Sequence, residues 1–485
     1  MTNQQQLQHL YWRAGFGPRP ADIAANLSPR KALRQLLHDA EQYQPLAGAT
    51  MQAAQQQAMT PAPTPDLRQD PQAPTLKKGQ MTPAERKEQN RQIRGAFYAM
   101  NTGWVERMAT SPAQLREKMT FFWHGHFACR VRRPDAALQL NNTLRRLALG
   151  KFGDLLLAVS KEPAMLQFLN NQQNRKQRPN ENFAREVLEL FTIGRGHYSE
   201  PDIKEAARAC TGWGYDEQGR FAFRERQHDD EAKTFMGRTG NFTGEDILKI
   251  ILAQPQTAEF LTTKIYRFFV HDTPNAAHIK PLATAFFQSG YDIGDLMERL
   301  FSADWFYAPA NVGTRIKSPI ELLAGIKRTL GVELADKRPL IVFQKALGQT
   351  LFQPPNVAGW AGGRSWIDSS TLLFRLQLPQ VLLKNAEINI ALKDDENDID
   401  PQMARADRTF RQPVEAKVKL APLGLLLAGT PEAQQPARLS EFLLQAPIRP
   451  DNLQLVQQVA GNAPAEGRLR TMVTSLLSLP EYQLM

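Results

Sequence analysis

At 485 residues the chain is long enough for one large domain or for two or three smaller ones. Hydrophobic residues make up 42% of it, and no run approaches the roughly 18 apolar residues needed to span a bilayer. The net charge of +10 allows an anionic partner, but neither aromatic stacking nor a groove-reading motif accompanies the basic residues, which argues against nucleic acid. Two cysteines, Cys129 and Cys210, exclude a disulfide framework and a thiolate zinc cage.

The opening stretch "MTNQQQLQHLYWRAGFG" lacks the basic, apolar and small-residue succession of a secretory signal. Cytoplasmic location is the default expectation, with periplasmic location by co-export beside a partner as the alternative. Residues 41–93, rich in Gln, Ala and Pro, bury little apolar area and read as an insertion or lid. Helix starts then recur. Thr82-Pro83-Ala84-Glu85, Ser111-Pro112-Ala113-Gln114 and Ser318-Pro319-Ile320-Glu321 all have a capping hydroxyl, proline at the first helical position and Glu or Gln at the third, and Thr430-Pro431-Glu432 repeats the theme. Alternating runs with hairpin turns are almost absent. The pattern predicts a mainly α protein, a large irregular multi-helix domain with long loops over 1–392. A charged linker (393–415) and a small helical C-terminal region (416–485) follow.

Four segments carry candidate chemistry. In "FFWHGHFACR", at about 100° per residue, Glu117, Phe121 and His124 share a stripe while His126 points about 200° away from His124. The two imidazoles reach one metal only if the helix ends near Gly125; otherwise they are hydrogen-bonded core residues or an acid–base group. In "RPNENFAREVLELFTIGRGHY", Asn182, Arg185, Glu186 and Glu189 oppose an apolar stripe, and Gly194 is a natural stop. Glu186 and Glu189 project together as carboxylates do in helical metal sites, although no histidine follows at the di-iron spacing; a solvated face is the alternative. In "RQHDDEAKTFMGRTG", His228 beside Asp229 and Asp230, with Lys233 following, suits a divalent ion, a tuned imidazole or an exposed charged loop. In "FQPPNVAGWAGGRSWIDSS", glycines make a turn where backbone N–H groups and Arg364 could receive an oxyanion, and Asp368 or Ser369 caps the next helix. No Walker-type lysine follows, so a nucleotide loop is not indicated.

The expected catalytic set is therefore His124, Glu186, His228, Asp229 and Lys233. A divalent metal would fall to His124, His126, Glu186 and Glu189, and cofactor contacts to Arg364 and Ser369. The alternative expectation is non-catalytic: buried polar networks, with Asn180, Glu181, Asn182, Arg185 and Asp230 among their members, fixing one fold.

These segments, with "LQHLYWRAGFGPRPADI" and "RIKSPIELLAGIKRTLG", resemble in content and order a large bacterial family, domain of unknown function 1800. The likeness runs from about Leu7 to Leu376 and fades in the Gln-rich insertion and beyond about 390. Many relatives resemble this chain with histidine at the position of Phe191. The resemblance implies no activity. It implies a partner, a phosphatase- or sulfatase-like protein of the family domain of unknown function 1501, and hence the scaffold or maturation role and the co-export alternative.

Overall fold

A computed structural model describes residues 1–48, 82–386, 390–391, 409–410 and 413–485. The central part of the expected insertion and most of the charged linker lie outside the described residues. The flanks of the insertion are ordered into the body. The backbone N–H of Leu46 donates to Asn142 Oδ1 at 2.7 Å, and residue 82 caps a long helix, Pro83–Thr110.

The architecture is mainly α, and the strands described pair only as short two-stranded ribbons. The reason lies in local signals. Thr82 and Ser318 close true capping boxes with Glu85 and Glu321, each preceded or followed by the partners that the spacing requires. Two expected boxes do not form. Ser111 ends the preceding helix instead, because Gln114 is taken by tertiary bonds: its amide donates to the carbonyl of Met108 at 2.9 Å and accepts from Phe16 N–H at 3.2 Å. At Thr430 the chain makes a short 3₁₀ turn, Glu432–Gln434, before helix Gln435–Leu443, so the threonine hydroxyl is too far back to cap it.

Two helices form the centre. Pro319–Leu330 is buried along its whole length, and Gln114–His126 is buried at every residue but Gly125. A helix enclosed on all sides must either be apolar all round or pair its polar groups internally. Here it pairs them. Lys118 meets Glu321 at 2.6 Å, and Arg145 meets Glu117 at 2.9 Å. The indole N–H of Trp104 donates to Glu117 Oε2 at 2.9 Å, and Lys327 reaches Glu106 at 3.0 Å.

The C-terminal helical region packs into this same body. One continuous apolar core runs from Leu7 to Tyr482. Arg13 donates to the carbonyl of Met485 at 2.8 Å, Lys317 to that of Tyr482 at 2.6 Å, and Ile316 forms a backbone bridge with Leu484. Among the described residues no helix is long and apolar enough to cross a membrane. Both cysteines are buried free thiols, and burial pushes the pKa of each upward.

Candidate functional site

Helix Gln114–His126 does not end at Gly125, so the two histidines face different surroundings. His124 lies among Trp104, Phe352 and Trp360, and its Nε2 accepts the backbone N–H of Phe352 at 3.1 Å. That bond holds a bulky residue at φ +67°, a conformation such side chains rarely adopt. Burial, with Arg145 nearby, lowers the His124 pKa to about 3, so the ring is a neutral acceptor at ordinary pH.

His126 turns the other way, toward residues 187–192. This segment continues helix Asn182–Glu186 as a π-helical turn, with Ile193 N–H returning to the carbonyl of Leu188. The last carbonyls of a helix have no partner within it, and π turns displace them further. Two side chains meet them: His126 Nε2 bonds the carbonyl of Phe191 at 3.1 Å, and Lys264 Nζ donates to that of Leu190 at 2.9 Å. A carbonyl only accepts, so the proton of His126 is on Nε2 and Nδ1 is bare. Lys264 Nζ lies 3.2 Å from that Nδ1. Burial, reinforced by Lys264, lowers the His126 pKa well below its ordinary value, despite the Phe191 bond. Burial, and then Arg267, holds the Lys264 ammonium down to about 8.

Both residues line a cavity of about 480 Å³. Phe121, Phe122 and Phe268 form one apolar wall, and Trp360 and Trp366, carried by the glycine-rich turn, form another. The turn comes close because it has no side chain where it meets the histidine helix. A Cβ on Gly359, at φ +77°, would lie 2.5 Å from the carbonyl oxygen of Gly125. The charged lining is Lys264, Arg267 and Arg315 against Asp272 and Glu321. Glu321 is already engaged: burial alone would raise its pKa, but Lys118 and Arg315 hold it down to about 2. Asp272 stands 3.7 Å from Arg315, whose Nε and Nη1 make no hydrogen bond among the described residues. The lining thus favours an anion, and the aromatic walls favour an apolar body attached to it.

The expected residues fare unevenly. The structure brings His126 into the cavity, with Gly362 and Gly363 of the glycine-rich turn. His124 touches only the back of that wall, through Trp360. Glu189 is held by Arg195 and by Tyr198 at 3.2 Å, and Arg185 binds Glu200 and Glu181 rather than either candidate carboxylate. Glu186 is part-buried, its pKa raised by burial and by Glu189, and it is not among the cavity lining. The His228 segment is a separate network. Its Nδ1 donates to the carbonyl of Thr211 at 2.9 Å, Asp229 pairs with Arg208 at 2.7 Å, and Lys233 donates to the carbonyls of Asp229 and Glu231. Asp230 is exposed at the edge of that network, its charge acting on Lys233. Arg364 and Ser369 are exposed and do not line the cavity, and Asp368 rather than Ser369 is the helix cap. Among the described residues no three His, Cys, Asp or Glu side chains gather so as to hold a metal ion.

The family model described as "Protein of unknown function (DUF1800)" matches residues 9–484. The chain belongs to the DUF1800 family. The match includes the C-terminal helices, where the motif likeness fades, as expected of segments that close the same core. No curated protein and no solved structure matches the chain. Sequence reading missed Lys264, Arg267, Arg315 and Glu321 as site residues. In "AEFLTTKIYRFFV" the lysine and arginine look like the polar edge of an amphipathic helix, and only the carbonyls of the distant π turn distinguish Lys264.

Proposed function

We propose that the cavity is the active site of an enzyme that takes a small anionic substrate with an apolar or aromatic body. Lys264 and His126 act there as an acid–base pair, and Arg315 and Arg267 receive the anion. One observation carries the reading: an ammonium with no carboxylate partner among the described residues, 3.2 Å from a bare imidazole nitrogen, at the wall of a cationic aromatic cavity. A lysine lowered to about 8 gives and takes protons readily near neutral pH. Of the expected forms of the site, metal-dependent or acid–base, this is the acid–base form. The metal form has less support, since its donors are bonded apart from one another.

Calorimetric titration with benzoate, acetate and inorganic phosphate tests the reading. Benzoate should bind more tightly than acetate, and Arg315→Gln should weaken it at least ten-fold. ¹⁵N-detected titration of Lys264 Nζ should find a midpoint near 8. Absence of anion binding, or binding indifferent to Arg315→Gln, refutes the proposal.

A further inference from the structure

Among the described residues four lysines are buried and Lys264 is half-buried, and comparing them singles out Lys264. Lys118 is locked onto Glu321 at 2.6 Å, and Lys327 onto Glu106 at 3.0 Å. Lys317 lies between the rings of Trp12 and Tyr482, 3.8 and 3.6 Å from their centroids, and donates to a backbone carbonyl. Lys233 is taken up by two carbonyls and Asn241. None of these four lines the cavity. Lys264 does. It has one carbonyl, one unprotonated imidazole nitrogen and the face of Phe260 around it, and a second cation, Arg267, on the next turn of its helix.

We propose that Lys264 is a nucleophile that condenses with the ketone carbon of a 2-oxo carboxylic acid, whose carboxylate lies on Arg315. This deepens the active-site reading and rests on it. An amine is nucleophilic only when neutral, and desolvation beside another cation is a standard way to make it so. With a pKa of about 8, roughly one molecule in ten has the free amine at pH 7.

The step balances without any redox partner. The Lys264 amine, its ammonium proton already lost to solvent, uses its free electron pair to form a bond to the carbonyl carbon. The carbonyl π pair moves onto oxygen. A proton passes from nitrogen to that oxygen by way of His126 Nδ1, and a proton from solvent makes the oxygen a leaving water. Water departs as the C=N bond forms. One ammonium and one ketone become one protonated imine and one water, and His126 ends as it began. The anionic carboxylate on Arg315 orients the ketone, while the Phe and Trp walls take the remainder of the acid.

Trapping tests this on the full chain. Incubation with phenylpyruvate and sodium cyanoborohydride, then peptide mass analysis, should place the reduced adduct on Lys264 at least ten-fold above any other lysine. Excess benzoate should suppress it, and Lys264→Arg should abolish it while keeping benzoate affinity within about three-fold. An adduct spread over surface lysines, or seated on Lys118, overturns the proposal. If benzoate binds in an Arg315-dependent way but no adduct forms, the nucleophile fails and the active-site reading stands. If benzoate does not bind at all, both fail.

Discussion

Replacing Lys118 with methionine isolates what the buried ion pair at the centre contributes. The ammonium and the Glu321 carboxylate are 2.6 Å apart, with side chains 0% and 1% exposed. Glu321 also accepts the Ser318 N–H at 2.9 Å, so it closes a helix start as well as a charge pair. Lys118→Met leaves that carboxylate enclosed without its main counter-charge, a loss of about 3–5 kcal/mol when one partner of a buried pair is removed. The carboxylate has an escape: taking a proton at pH 7, from an ordinary value of 4.5, costs about 3.4 kcal/mol, which sets the scale of the loss at neutral pH. The same escape costs less in acid. In the wild type Glu321 is held below 4.5, and its contribution is lost only as the pH falls toward 2; in the variant its pKa is raised, and stability increases as the pH falls from 7 toward 4.5. Lys118→Met/Glu321→Gln keeps the capping amide and removes the orphan charge, and should recover all but about 1–2 kcal/mol. Urea unfolding of the three proteins at pH 7 and pH 5 measures this. A single variant losing less than about 1 kcal/mol, or a double variant less stable than the single, refutes the reasoning.

Four further outcomes follow from the packing. His124 is depressed from 6.5 to about 3, so the unfolded chain binds more protons between those values and stability falls as the pH drops through that window. The loss reaches up to about 4–5 kcal/mol, and subtracting the acid-unfolding curve of His124→Gln, whose side-chain oxygen still accepts from Phe352, isolates it. Gly359→Ala drives a Cβ against the Gly125 carbonyl at a left-handed φ; it should cost about 2 kcal/mol or more in thermal unfolding and weaken benzoate binding more than Gly362→Ala, where no atom lies within 4 Å of the added carbon. Lys233→Met removes the donor shared by two carbonyls and should cost about 1–3 kcal/mol in urea with benzoate affinity unchanged, since that network is separate from the cavity. Cys129 and Cys210, buried and with raised pKa values, should react with a thiol reagent only on the timescale of unfolding.

Much of the fold was legible because helix starts are local events. The Thr82 and Ser318 boxes need only residues within four positions, and both form. The Ser111 box fails because the Gln114 amide is claimed by Phe16, almost a hundred residues earlier, which no window reading reveals. Within the site, the odd pair of histidines announced a buried polar centre, and the helical angle between them already separated their fates. The stripe of Arg185, Glu186 and Glu189 misled because its counter-charges, Glu200 for Arg185 and Arg195 for Glu189, follow in an adjoining helix and loop. Lys264 gave no sign. Its significance comes from the Leu190 carbonyl, released by a π turn more than seventy residues earlier, and backbone geometry of that kind leaves little trace in composition.

The bare contact between Gly125 and Gly359 leaves the molecule with no slack at one point. At this point the histidine-bearing rod and the tryptophan-bearing hoop meet main chain against main chain, so neither can be lengthened, shortened or rotated by one residue without prising the other away. Drift in either segment has to be matched in its opposite number, and the register between them is inherited as a unit.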